Sequence, residues 1–237
     1  MGSIAENIMQ VRERIARAAE KSGRTAEDIV LVAVSKTRAP AEIAEAIAAG
    51  ARDFGENKAQ EFESKYEAVK DPRVNWHFIG HLQRNKVKYL IGKVGLLHSV
   101  DSLRLAEEID RRAGEAGIIM DVLVQVNAAS EESKFGVSSA DTRELVREVS
   151  QRCGNIRIAG LMNIAPAADD PEEVRDVFRS VKMLFDEIAR DASGERIDMK
   201  WLSMGMTHDY EVAIEEGANI VRVGTGIFGE RNYAAGA

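Results

Sequence analysis

The run Ile29-Val-Leu-Val-Ala-Val34 constrains the fold more than any other stretch of this chain. Its six aliphatic residues, followed by Ser-Lys-Thr-Arg-Ala-Pro, are too few for a helix and lack the alternation of a half-exposed strand. They suit a parallel strand buried on both faces, which needs cover on each side of its sheet. Where such a strand ends, side chains leave the packed interior and meet the loops. Lys36 is then expected at a half-dry mouth, where desolvation weakens an ammonium's hold on its charge and a neutral amine can attack a carbonyl. The competing reading of Lys36 is a strand-capping lysine that extends its head into solvent.

The same alternation runs through the rest of the chain. Ile4, Ile8, Val11, Ile15 and Ala18/Ala19 fall at three- and four-residue steps, which predicts an amphipathic helix over 4–21, ahead of the first strand. Pro40 in a first turn and Gly50 as a left-handed stop bound the next helix, over 40–49. Further strands are read at 53–56, 75–79, 96–100, 118–126, 156–162, 200–203 and 219–223. Helices are read at 58–69, 83–91, 103–113, 141–153, 171–190 and 210–216. Eight strand-then-helix units without a linker predict an α/β fold, a single (β/α)8 TIM barrel over residues 1–237 with an extra amino-terminal helix. A doubly wound open sheet is the alternative, because strand order is not written in the pattern.

A length of 237 residues accommodates one such barrel. The net charge of −7 gives no basic footprint for nucleic acid or an anionic membrane, so neither is expected as a partner, although small anions can still find local basic pockets. One cysteine, Cys153, forms no internal disulfide, and the start Met-Gly-Ser-Ile-Ala-Glu-Asn lacks a basic region followed by an apolar one. A cytoplasmic location is the expectation. Nothing supplies the large apolar face of an obligate dimer, which points to a monomer.

In a barrel the loops after the strands open on one face, where chemistry gathers. The residues there are Ser35-Lys36-Thr37, Glu56-Asn57-Lys58, Gly80-His81, Ser99 and Asp101, Asn127 with Glu132, Ser133 and Lys134, Met162-Asn163, the stretch from Ser203 to Thr207, and Gly224-Thr-Gly226. The run from Gly224 to Gly229 matches a dinucleotide-binding turn letter for letter. That fingerprint needs a further strand and an acidic residue about twenty positions on, which the sequence, ending at Ala237, does not supply. A phosphate cup built from the last two strand-end loops and a short helix start fits better. Gly224 and Gly226 let backbone amides approach an anion, and Ser203 and Thr225 offer hydroxyls. Two tight turns that need glycine for backbone reasons are the plainer alternative. No metal site is expected: His77 and His81 are four apart but on a strand and its exit, and His98 and His208 complete no cluster with them. Cys153, at a helix end far from the strand tips, is read as structural.

The runs Val-Ala-Val-Ser-Lys36-Thr, Asp-Phe-Gly-Glu-Asn57, Trp-His-Phe-Ile-Gly-His81-Leu-Gln-Arg-Asn-Lys86, Glu-Glu-Ser-Lys134-Phe-Gly, Gly-Leu-Met162, Leu-Ser203-Met-Gly-Met and Val-Arg222-Val-Gly-Thr225 span nearly the whole chain. Together they resemble the pyridoxal-phosphate homeostasis protein family, single-domain relatives of the amino-terminal barrel of alanine racemase (fold type III). The resemblance implies that Lys36 holds pyridoxal 5'-phosphate as a Schiff base, that Ser203, Gly224 and Thr225 bind its phosphate, and that Arg222 approaches the pyridine nitrogen. Asn57, His81 and Met162 would lie along the ring. An arginine there leaves that nitrogen unprotonated and the ring a poor electron sink. With no second domain to post an opposing acid/base residue, the resemblance implies a carrier or regulator of cofactor supply to apo-enzymes, without established turnover. A weakly active racemase-like enzyme and a sugar-phosphate barrel are the alternatives. Ala128-Ala129, Asn163 and Gly226 depart from the commonest family pattern, and Lys134 offers a second amine to capture or relay the aldehyde.

Overall fold

The computed structural model of the chain describes residues 2–129, 131, 135–192 and 196–230. Its aliphatic runs form the parallel strands β1 (Val30–Val34), β2 (Asp53–Glu56), β3 (Asn75–Phe78), β4 (Leu96–Val100), β5 (Met120–Asn127), β7 (Ile156–Asn163), β8 (Ile197–Ser203) and β9 (Ile220–Val223). Pairing of β1 with β9 and of β4 with β5 closes them into a barrel, so the open-sheet alternative is excluded. A two-residue strand, β6 (Val137–Ser138), pairs with the end of β5 and was not legible in the sequence.

The helices α2 (Pro40–Ala48), α3 (Ala59–Ala68), α4 (Leu103–Glu115), α5 (Ser139–Arg152), α6 (Arg175–Asp191) and α7 (Tyr210–Glu215) follow their strands as expected. The stretch 83–91 is instead a 3-10 helix, Arg84–Tyr89. Val87 is its one buried residue, and Leu90, also buried, follows directly at its end. Likewise Pro171–Val174 is a 3-10 turn, capped by Asp170, that leads into α6. Among the described residues no helix is long and apolar enough to cross a membrane.

Alternation along the strands sorts the core into two layers. Val32 packs inside the barrel with Leu96, Leu123, Ala159, Met162 and Ile220, whereas Ala33, Phe54, Trp76, Phe78 and Val221 face the helices. The last unit is the incomplete one, because its helix α8 (Thr225–Phe228) spans only four residues. The amino-terminal helix α1 (Ile4–Lys21) fills the gap, packing against α7, α8 and α2. A Ser3–Glu6 capping box starts it, and Ile8, Val11, Ile15, Ala18 and Ala19 form its buried stripe. Asn7 Nδ2 donates to Ile227 O at 2.8 Å, while Arg14 and Lys21 pair with Glu211 and Glu215 of α7. The helix read as an addition to the barrel thus completes its outer ring. Ile15→Ala is expected to cost about 2–5 kcal/mol in urea unfolding, against about 0.5 kcal/mol or less for exposed Met9→Ala. Equal losses from the two variants would contradict this role for α1.

Candidate functional site

A cavity of about 380 Å³ opens where the strands end. Its wall brings together six of the eight residues singled out from the sequence: Lys36, Asn57, His81, Arg222, Gly224 and Thr225. Lys36 arrives by the alternation of β1, because Val30, Val32 and Val34 turn inward and the next residue in that phase meets the mouth. Asn57 enters one residue beyond β2. Gly80 permits its position, since a Cβ there would lie 2.2 Å from Asn57 O. The side-chain oxygen of Asn57 is buried and has no hydrogen-bond partner among the described residues.

Opposite Lys36 the wall is rich in donors. Gly205 takes a left-handed φ of 92°, and a Cβ on it would sit 2.6 Å from Ala213 Cβ, so only glycine makes the turn that carries Met206, Thr207 and His208 to the cavity. The hydroxyls of Thr207 and Thr225 lie 3.2 Å apart, and the amides of Gly224 and Gly226 each stand 3.4 Å from Thr207 Oγ1. Both amides and the Thr225 hydroxyl donate to Thr207 Oγ1, which gathers two hydroxyls and two amides, groups suited to an anion, in one cup. Thr207 stood among the strand-tip residues of the sequence but was not singled out for this part.

Arg222 forms the floor. It is 3% exposed, and its guanidinium donates to Ser203 Oγ at 2.6 Å and to Asn163 O at 2.9 Å. No carboxylate bonds it among the described residues, and burial pushes its pKa down to about 10 against the opposing attraction of Asp209. Ser203 and Met162 do not reach the wall. Both are fully buried, Met162 in the inner apolar layer and Ser203 beneath Arg222.

Ser203 ends a polar chain that crosses the barrel interior. Asp53 Oδ1 lies 3.1 Å from His77 Nε2, His77 Nδ1 lies 2.9 Å from His98 Nε2, and His98 Nδ1 lies 3.0 Å from Ser203 Oγ. A carboxylate can only accept, so neutral imidazoles must all donate toward Asp53, and the Ser203 hydroxyl donates to His98. The Ser203 hydroxyl is therefore bonded to His98 and Arg222 off the cavity wall, whereas Thr207 and Thr225, bonded to each other, line the cavity. The inward phase of β3 and β4 sets His98 against His77, a pairing that spacing along the chain does not record. No group of three or more His, Cys, Asp or Glu suited to a metal occurs among the described residues.

Burial holds His98 well below the usual imidazole range, with His77 and Arg222 adding to the effect. Below about pH 6.5 the unfolded chain binds a proton that folded His98 refuses, so its contribution to stability is present above that pH and lost as the pH falls. Wild-type protein should lose up to about 1.4 kcal/mol per pH unit more than His98→Gln between about pH 6.5 and 5. Parallel curves of unfolding free energy against pH would refute the assignment.

Two further walls were not legible in the sequence. Phe135 stacks on His81 with ring centroids 3.7 Å apart and planes 11° from parallel, and His81 Nδ1 stands 3.5 Å from Asp101 Oδ2. Ile79, Gln125 and Ile164 complete the lining, each the inward residue near the end of its strand. Glu132, Ser133 and Lys134 lie outside the described residues. Cys153 is buried far from the cavity, and burial pushes its thiol up to about 11, which suits packing and not nucleophilic attack. Iodoacetamide at about pH 8 should leave native protein unmodified and label it only in denaturant. Rapid labelling of the native protein would show the thiol to be accessible.

Comparison with known proteins adds to this geometry. The model of the alanine racemase N-terminal domain matches residues 3–232. A protein of Aquifex aeolicus named pyridoxal phosphate homeostasis protein is 48% identical over 228 residues, covering 96% of this chain and 98% of its own. A protein of the same name from Pseudomonas aeruginosa is 39% identical over the full length of both chains. The structure of PipY from Synechococcus elongatus PCC7942 with PLP bound superimposes with a TM-score of 0.82 at 35% identity, covering 96% of this chain and all of that one.

Proposed function

The chain belongs to the pyridoxal phosphate homeostasis protein family, within the alanine racemase N-terminal domain fold, and from that premise we propose that it binds pyridoxal 5'-phosphate with Lys36 as the Schiff-base lysine. The observation that carries this reading is Arg222, a buried cation with no bonded carboxylate among the described residues, on a wall that also holds Lys36 and the Thr207–Thr225 cup. Such a cavity calls for an anion that also brings an acceptor to the guanidinium and an electrophile to an amine. The donor set fits the cofactor in each respect. When bound, the cofactor supplies an aldehyde carbon that condenses with a primary amine with loss of water.

Thr207, Thr225, Gly224 and Gly226 would hold the phosphate, Arg222 would meet the ring nitrogen, and His81 and Asn57 would flank the ring. Arg222 keeps its own proton at neutral pH even with its lowered pKa, so it presents a hydrogen bond and gives up no proton. That favours holding the cofactor over turnover. We read the protein as a monomeric carrier that takes up the cofactor and hands it on to apo-enzymes. Its exposed large apolar side chains, Met9, Ile119, Phe135, Met183 and Met206, are spread over separate elements, in keeping with a monomer.

Purified protein mixed with pyridoxal 5'-phosphate should develop a visible-range absorbance, and borohydride should fix the cofactor onto the peptide that carries Lys36. Lys36→Ala should lose both signals and keep its fold, and α-hydrogen exchange of amino acids in heavy water should not exceed that of free cofactor. Equal absorbance from Lys36→Ala would sink the assignment of that residue, and Lys36-dependent exchange would make the protein an enzyme.

A further inference from the structure

The outward face of β1, behind Lys36, meets a buried charged cluster that the cavity does not use. Glu56 at the end of β2 is fully buried, and Lys65 of α3 is 4% exposed. Lys65 Nζ donates to Glu56 Oε1 at 2.7 Å, to Glu61 Oε1 at 2.7 Å and to the backbone oxygen of Ser35. Ser35 Oγ donates to Glu56 Oε1 at 2.6 Å, and the amide of Thr37 donates to Glu61 Oε1. Three of these five contacts fall on the residue before Lys36 or the residue after it, and the other two tie Lys65 to the acids that make them.

The backbone at this point needs holding. Thr37 has a φ of 65°, and it is the one non-glycine residue with positive φ among those described. A β-branched residue adopts that conformation only where its surroundings impose it. Nor does the cluster suit a stability role, because burial raises the pKa of Glu56 against its bonds to Lys65 and Ser35, and Glu56 Oε2 has no hydrogen-bond partner among the described residues. Buried ion pairs of this kind are weak stabilisers and strong geometric constraints.

We propose that Lys65, with Glu56 and Glu61, is a positioning residue for Lys36. The cluster clamps the peptide units on both sides of Lys36, so that the amine enters the cavity at a fixed height and angle. This inference rests on the reading of Lys36 as the cofactor lysine. A reacting group displaced by about 1 Å loses roughly a hundredfold in rate, so even partial release of the clamp is measurable.

The test compares Lys65→Met and Glu61→Ala with wild type. Two ligands are used: pyridoxal 5'-phosphate, and pyridoxine 5'-phosphate, which has the ring and phosphate but no aldehyde. Glu61 is the more exposed of the two acids, so its variant keeps the test open should Lys65→Met fail to fold. Both variants should gain visible absorbance with pyridoxal 5'-phosphate at least about tenfold more slowly, while affinity for pyridoxine 5'-phosphate stays unchanged. Unchanged rates overturn the proposal. So does a parallel weakening of both ligands with a lower melting temperature, which would make the cluster a plain structural tie between α3 and the sheet. Wild-type protein that gives no Lys36 adduct sinks the cofactor reading itself, and the clamp with it.

Discussion

Closure of eight parallel strands leaves an inward side chain only two destinations, the packed interior or the mouth. Val30 and Val32 take the first, Val34 reaches the edge of the second, and Lys36 follows in the same phase. The rule also brings Arg222 to the floor two residues beyond Ile220, and Gly224 to the rim two residues later. An amine from β1 and a cup from the end of β9 become neighbours because β1 and β9 are paired, with Val32 in register with Arg222. Barrel closure therefore sets the amine and the end of β9 side by side, and the loop carrying Thr207 completes the cup.

The interior departs from the aliphatic filling usual for such barrels. Two histidines, a serine, an arginine and an asparagine backbone oxygen form one connected set beneath the cavity. Each imidazole nitrogen and the Ser203 hydroxyl has a partner, so the set meets the condition under which buried polar groups are tolerable. Arg222 is the exception in kind. It has neutral acceptors below and, among the described residues, no ionised group bonded to it, so beyond the attraction of Asp209 its charge is balanced most directly by whatever anion the cavity receives.

Much of this was legible in the sequence because it depends on local pattern. Strand runs, the amphipathic stripe of α1 and the positions of Lys36, Asn57, Gly224 and Thr225 at strand tips all follow from periodicity and spacing. The His77–His98 pair was not, since it requires β3 and β4 to be neighbours with both residues in inward phase, and no spacing within one strand records that. The surroundings of Ser203 were hidden for a related reason. Its position at a strand end was correct, but whether its hydroxyl faces a ligand depends on His98, 105 residues away. Phe135 reaches the cavity from the segment between β5 and β6, where periodicity carries no information. The role of α1 was hidden by the brevity of α8, because a missing cover is visible only once the ring of helices is closed.

Two buried polar systems converge on the site from opposite sides of the barrel wall. The inner one is a chain of directed hydrogen bonds that ends on Arg222, and the outer one is an ionic cluster that ends on the peptide units flanking Lys36. Neither stabilises the fold as well as apolar packing of the same volume would, since desolvation opposes Glu56, His98 and Arg222 alike. Departures from consistent core packing tend to fall where a protein positions functional groups. Here they fall on the two residues that must face each other across one cavity, and β1 and β9, the strands that carry them, are otherwise packed with aliphatic residues on both faces. In both places burial opposes the polar groups, and in each their bonds fix the direction of one nitrogen-bearing side chain.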